Sequence, residues 1–277
     1  MLNYTDKIYK QNIVEILTNG QEEVGDVRPV WADGTPARTK FINQVFEKYD
    51  ISKGQFPLSR ARNVAWKSGI KEVLWLYQDA SNSLDLLEDK YNIHWWNEWD
   101  IGDRTIGQRY GATVKKHNLI DNLINGIKTQ PNGRRHIMSL WQEEDFKETK
   151  GLNPCAFETL WTTRGEYLDV TLVQRSNDYL TAGHINKIQY VALLMMVAHA
   201  TGYKPGVFAH LVQNLHIYDR HEESAYDLLK RFKEIDDTQP KLIFEPKSDN
   251  FYDFTIDDFR VENYEPIKPQ IKLEIAI

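Results

Sequence analysis

Residues 187–201, KIQYVALLMMVAHAT, are apolar almost all the way round a helical circumference. A helix that faces water carries a polar stripe, so a segment without one has to be enclosed by other structure. The pattern predicts a helix in the middle of the molecule, ended by Gly202. It is not a membrane span: the longest wholly apolar run, 191–198, falls far below the ~20 residues that crossing requires.

The rest of the chain must supply the enclosure. Residues 4–18 place Ile8, Ile13, Ile16 and Leu17 at helical spacing and stop at Asn19-Gly20. A loop rich in Gly, Asp and Pro follows, then a strand-like segment over 39–49. Residues 61–78 read as a helix with Trp66, Ile70, Val73, Leu74 and Tyr77 on one face. Residues 136–142 alternate like a strand, as do 157–162 and 167–174, and an Arg164-Gly165 turn makes a hairpin of the last two. Residues 207–218 read as a further strand and 222–233 as a surface helix. The final IKLEIAI, after Pro266 and Pro269, reads as a short strand. Helices and strands without strict alternation predict an α+β fold, a large mixed β-sheet flanked by helices. No repeat, low-complexity tract or linker divides the chain, so 1–277 is expected to form a single domain.

Composition narrows the function. Net charge is −6 with acids and bases interspersed, so there is no basic surface for nucleic acid and no lysine cluster for a membrane. An anionic ligand must be held by local arginines. The polar N-terminal segment is unlike a signal peptide, and a cytoplasmic address is the expectation. Cys155 is the only cysteine, so no disulfide can form within the chain.

That cysteine follows Pro154 at the entrance to a strand, and the partner strand ends in Gln174-Arg175-Ser176. An arginine beside a thiol favours the nucleophilic thiolate, although a lone cysteine is commonly an inert core residue. Arg134 and Arg135 follow the turn Gln130-Pro131-Asn132-Gly133, where two guanidinium forks suit a phosphate or surface ion pairs. His216 and Tyr218 share one side of their strand, either as packing or as partners for sugar hydroxyls. His216 and His221 have no companion Cys or tight carboxylate set, so no metal is expected. Trp95, Trp96 and Trp99 form either core or a wall for a flat heterocycle. Glu72 lies in an apolar helix. Facing inward it would have a raised pKa suited to proton transfer; facing outward it would be an ordinary helix former.

Taken in order, FPLSRARNVAWKSGIKEVLW, IHWWNEWD, IGQRYG, NGRRHIMSLW, LNPCAFETLW, VQRSNDYL, NKIQYVALLMMVAHATGY, HIYDRH, YDFTIDDF and the Ala-Ile end resemble the thymidylate synthase family over nearly the whole chain. The resemblance implies a homodimer packed through its sheets, with shared active sites. It implies reductive methylation of dUMP to dTMP, with 5,10-methylenetetrahydrofolate as one-carbon and hydride donor and no metal. Cys155 would attack carbon 6 of the pyrimidine. Arg175 would bind the phosphate and hold Cys155 as thiolate, Ser176 would add a phosphate contact, and Arg134 and Arg135 would arrive from the neighbouring subunit. Asn186 would read the base edge, where an aspartate is associated with cytosine-using relatives. His216 and Tyr218 would hold the deoxyribose hydroxyl. Glu72, and less directly Tyr110, would organise water for proton transfers. On the folate side, Asp178 would bond the ring, Trp96 and Trp99 would wall its pocket, Arg62 would meet the anionic tail and the Ile277 carboxylate would help close the site.

Several positions depart from the family pattern. The N-terminal loop reads Asp33-Gly34-Thr35-Pro36 where a phosphate-binding arginine is usual, leaving Arg28 or Arg38 to substitute. Ala156 follows the nucleophile where histidine is frequent, YLTAGHIN lacks the usual LGxPFN, and Asn214 stands where aspartate is common. Most departures lie on the folate side. The alternative reading is a pyrimidine nucleotide hydroxymethylase on the same fold, in which water replaces the hydride; a silent nucleotide- or RNA-binding relative is a more distant one. Trp96, placed to keep water out, and the joint presence of Cys155, Arg175, Asn186, His216 and Tyr218 favour methylation.

Overall fold

The computed structural model describes residues 1–277. In chain order the elements are α1 (Tyr4–Asn19), β1 (Gln21–Glu22), β2 (Thr39–Asp50), α2 (Trp66–Val73), α3 (Leu84–Tyr91), α4 (Gly111–Lys116), α5 (Leu119–Thr129), β3 (Ile137–Ser139), α6 (Glu143–Glu148), β4 (Ala156–Arg164), β5 (Tyr167–Gln174), β6 (Asn177–Asp178), α7 (Gly183–Thr201), β7 (Lys204–Tyr218), α8 (Glu222–Arg231), β8 (Lys241–Phe244) and β9 (Phe259–Glu262).

The apolar helix is where its pattern put it. Nearly every side chain of α7 is buried, from Gly183 to Ala200, and the helix ends on Gly202 in a left-handed conformation. One side of α7 meets α2, and the other lies on a mixed sheet of order β1-β2-β7-β5-β4-β3, with β6 also paired to β7. β5 and β7 run parallel, which requires a long crossover between them, and α7 is that crossover. The remaining neighbours on this path are antiparallel. Thus the sequence expectation of a large mixed sheet flanked by helices describes the molecule. No helix is long and apolar enough to cross a membrane.

One polar link fastens α7 to the sheet. Lys187 donates to Glu47 of β2 at 2.6 Å, and both side chains are buried. Burial alone would push the Glu47 carboxyl up. The Lys187 ammonium, with hydrogen bonds from Tyr49, Tyr179 and Asn12, holds it below the usual carboxylate range instead.

The other face of the sheet is bare. Phe46 of β2 pairs with Leu211 of β7, Leu211 with Val173 of β5, and Leu160 of β4 with Ile137 of β3. Phe46 is 60% exposed and Ile137 50%, with Leu160 and Leu211 also exposed. An uncovered apolar row across three strands, Phe46–Leu211–Val173, with the pair Leu160–Ile137 beyond it, is unusual for a surface in water.

Three local expectations need correction. The helix expected over 61–78 begins only at Trp66 and ends in a wider π-helical turn over Leu74–Gln78. Residues before Trp66 are held off the helical path: Ser59 Oγ accepts the Ala61 N–H, and Arg62 donates to the carbonyls of Leu180 and Ile271. The strand expected over 136–142 shrinks to β3, at the edge of the sheet. The closing IKLEIAI is not a strand: only Ile277 forms a backbone pair, with Val30 at 2.8 and 3.0 Å.

Candidate active site

The β4–β5 hairpin brings the thiol and its arginine together. Ala156 pairs with Gln174, so Cys155, just before β4, sits opposite Arg175, just after β5. The Arg175 backbone N–H donates to the Cys155 carbonyl at 2.9 Å. Its guanidinium donates to the carbonyls of Pro154 (3.0 Å) and Asn153 (2.9 Å), and Nη2 lies 3.4 Å from Cys155 Sγ. Three tethers fix this cation against the sulfur.

Burial and charge act on this thiol in opposite directions. Burial pushes the Cys155 pKa up, and Arg175 followed by Arg28 pulls it back without reversing the sign. Arg175 lowers the free energy of the thiolate when it forms.

The structure separates the two arginines considered for the N-terminal loop. Arg28 acts electrostatically on both Cys155 and Tyr218. Arg38 donates instead to the Gly25 carbonyl. The Arg28 loop is anchored by the Val30–Ile277 backbone pair and by Arg220, which bonds Asp33 (2.6 Å), Thr35 (2.8 Å) and Glu274 (3.1 Å) and lies over the Trp31 ring. The chain terminus is thereby brought beside this cation. Arg134 and Arg135 are not part of the cluster: they are exposed beside β3 and hydrogen-bond nothing through their side chains.

Asn186 lies in the first turn of α7, half-buried. Its Oδ1 accepts from Gln174 Nε2 and Asn177 Nδ2, each at 3.2 Å, and its Nδ2 donates to Gln189 Oε1 at 3.0 Å. Gln174 also donates to the Ser176 carbonyl at 2.9 Å, and its Oε1 meets His210 Nε2 at 2.8 Å. His210 is fully buried, which pushes its pKa down to about 3 and keeps it neutral.

Glu72 faces inward. It is 7% exposed, and Trp95 Nε1 donates to it at 2.6 Å. Burial raises its pKa, opposed by the N–H groups of Trp95, Trp96 and Gln189. The Trp96 indole N–H has no settled hydrogen-bond partner, and the Trp96 ring stands edge-on to Trp99 (5.4 Å) and Tyr110 (5.1 Å). Tyr110 has φ 49°, a conformation few side chains adopt, and its hydroxyl accepts the Cys155 N–H at 3.3 Å. Gly111 enforces this bend, because a Cβ there would sit 2.0 Å from the Ser81 carbonyl oxygen.

His216 and Tyr218 do share a face, with ring centroids 5.2 Å apart, and His216 lies beside Asp178 in the β6–β7 register. Asn214 Oδ1 bonds His216 Nδ1, and His221 is engaged by the Glu274 carbonyl, so the two histidines serve different segments. Asp178 is half-buried and Arg62 is tied to Leu180 and the C-terminal tail. Sequence reasoning missed Gln189 and His210, and gave no role to Gln174 or to Trp95 as a donor to Glu72. The available signal was weak: buried amides and a histidine inside apolar elements, which are seldom there without partners.

A thiol clamped by an arginine, next to an amide of fixed polarity and a buried carboxylate, suits nucleophilic addition to a ring that carries both donors and acceptors. A family model described as "Thymidylate synthase" matches residues 7–277. The chain belongs to the thymidylate synthase family. A thymidylate synthase from Streptococcus pneumoniae is 51% identical over 278 residues, covering 98% of this chain and 99% of the relative. One from Lactococcus lactis subsp. lactis is 49% identical over 282 residues and the full length of both. Among solved structures, the thermostable thymidylate synthase A from Bacillus subtilis superposes with a TM-score of 0.90 at 34% identity, covering 98% and 99% of the two chains. The match thus spans both the Cys155–Arg175 hairpin and the Trp96 segment.

Proposed function

We infer that the protein converts dUMP to dTMP by reductive methylation. The observation that carries this reading is Cys155 Sγ held 3.4 Å from Arg175 Nη2, on the hairpin whose Gln174 fixes the Asn186 amide. Carbon 5 of uracil is a poor nucleophile. Addition of Cys155 to carbon 6 moves an electron pair toward carbon 5 and oxygen 4, dividing one difficult substitution into easier steps. Asn186 meets the developing charge with its Nδ2–H and takes the ring N–H on Oδ1, the polarity its neighbours impose.

Arg28 and Arg175 form the cationic pole that receives the 5′-phosphate, with Ser176 alongside, and His216 and Tyr218 hold the sugar hydroxyl. Glu72 and Tyr110 organise the water through which the carbon 5 proton departs. The folate side fits a flat heteroaromatic ring: the Trp96–Trp99 edge forms a wall with Asp178 and Arg62 for polar ends. Methylenetetrahydrofolate, when bound there, supplies the carbon and the hydride. The Ile277 carboxylate closes the pocket, and Cys155 leaves carbon 6 as the product forms.

The bare sheet face is the surface on which a second copy packs, since the row Phe46–Leu211–Val173 can be self-complementary about a two-fold axis. Arg134 and Arg135, unengaged beside it, then reach the partner's phosphate site.

Asn186→Asp tests the base-reading role. An ionised carboxylate offers no donor to oxygen 4, whereas a protonated one can both donate to cytosine N3 and accept from its amino group. The ratio of kcat/KM for dCMP over dUMP is expected to rise by about 10²-fold or more. An unchanged ratio would show that the base is read elsewhere.

A further inference from the structure

We propose that Gln189 is a positioning residue that anchors the Asn186 amide nitrogen and turns its own N–H toward Glu72, joining base recognition to proton transfer. The proposal rests on the roles of Asn186 and Glu72 given above.

One group in this network cannot reverse. The Ser176 carbonyl only accepts, so the Gln174 atom 2.9 Å away is its nitrogen. Gln174 Oε1 therefore faces His210, which carries its proton on Nε2; His210 Nδ1 has no partner, as an unprotonated nitrogen in a dry site can. Gln174 then donates to Asn186 Oδ1, Asn177 does the same, and Asn186 Nδ2 donates to Gln189 Oε1. A reversed Asn186 would set N–H against two N–H donors and oxygen against the Gln189 oxygen. That leaves Gln189 Nε2 on the side of Glu72, whose ionised form it favours.

Helix packing makes the link possible. α2 approaches α7 at Gly69, where an added Cβ would lie 3.4 Å from Gln189 Cγ and 3.2 Å from Ile185. Glu72 is three residues on, on the same face of α2. Trp95 and Trp96 face the carboxylate from the 94–99 segment. The titratable groups near it are Tyr77, continuing α2, and Tyr190 on α7. They bond each other at 2.9 Å, and burial holds both protonated far above neutrality. No cation is among the groups that shift Glu72. Gln189 is thus the polar side chain of α7 that can touch both partners.

The test compares Gln189→Met with Gln189→Glu. Methionine preserves length but neither accepts nor donates; a carboxylate still accepts from Asn186 but gives Glu72 no hydrogen. Loss of the donor raises the Glu72 pKa, so the acid limb of kcat/KM for dUMP should move up by about one pH unit in Gln189→Met, and further in Gln189→Glu, where a second carboxyl also opposes ionisation of Glu72. The preference for dUMP over dCMP should fall about tenfold only in Gln189→Met. Should the methionine variant fail to fold, the glutamate variant decides through its shifted limb and kept preference. An unmoved limb in a folded variant, with or without a lower Tm, overturns the proposal. If Asn186→Asp also leaves specificity unchanged, the underlying reading fails; if it shifts specificity, the Gln189 link alone is wrong.

Discussion

Cys155→Ser will lower kcat by about three orders of magnitude or more while leaving dUMP affinity within a few-fold. The substitution keeps the size and position of the nucleophile but replaces a polarisable sulfur by an alcohol of far higher pKa. Arg175, 3.4 Å from the sulfur, lowers the free energy of an anion at that point. It cannot supply the many pKa units that separate an alkoxide from a thiolate. The phosphate, sugar and base contacts belong to other residues, so binding survives. Steady-state turnover together with calorimetric titration of dUMP separates these effects. Near-normal turnover would contradict covalent catalysis, and loss of binding alone would mean that Cys155 is a packing residue.

A charge on the bare sheet face has a second large effect. Leu211→Asp places a carboxylate between Phe46 and Val173, in the middle of the apolar row. It is expected to yield monomers by light scattering and to lower kcat/KM by about 10²-fold or more, because Arg134 and Arg135 then have no partner's phosphate to reach. Mixing distinguishes shared sites from mere instability. Cys155→Ser and Arg135→Ala are each inactive or nearly so, but random exchange makes half the dimers mixed. Each mixed dimer holds one intact site, so about a quarter of the unmodified activity should return. A fully active Leu211→Asp monomer would show that one chain is sufficient.

What was legible in the sequence was what is local. The all-round apolar character of 187–201 identified α7, and alternation around Arg164-Gly165 identified the β4–β5 hairpin. Hairpin register then made the meeting of Cys155 and Arg175 a consequence of pairing. Features that depend on how distant segments pack were not legible. Nothing in IKEVLW says whether Glu72 faces Trp95 or water; the approach of α2 to α7 at Gly69 decides it. Arg28 and Arg38 are equivalent on paper, and only the loop's anchorage to Ile277 and Arg220 distinguishes them. The nearness of Cys155 to an arginine follows from hairpin pairing, whereas the burial that opposes its charge depends on packing. The family resemblance identified the participants, but not the order Gln174–Asn186–Gln189 in which their amides are joined.

The most direct test of the central claim mixes the purified protein with dUMP and methylenetetrahydrofolate, follows dihydrofolate absorbance and identifies the nucleotide formed. The account predicts a rise in absorbance matched by dTMP. No rise with 5-hydroxymethyl-dUMP formed, or no nucleotide product at all, would contradict it.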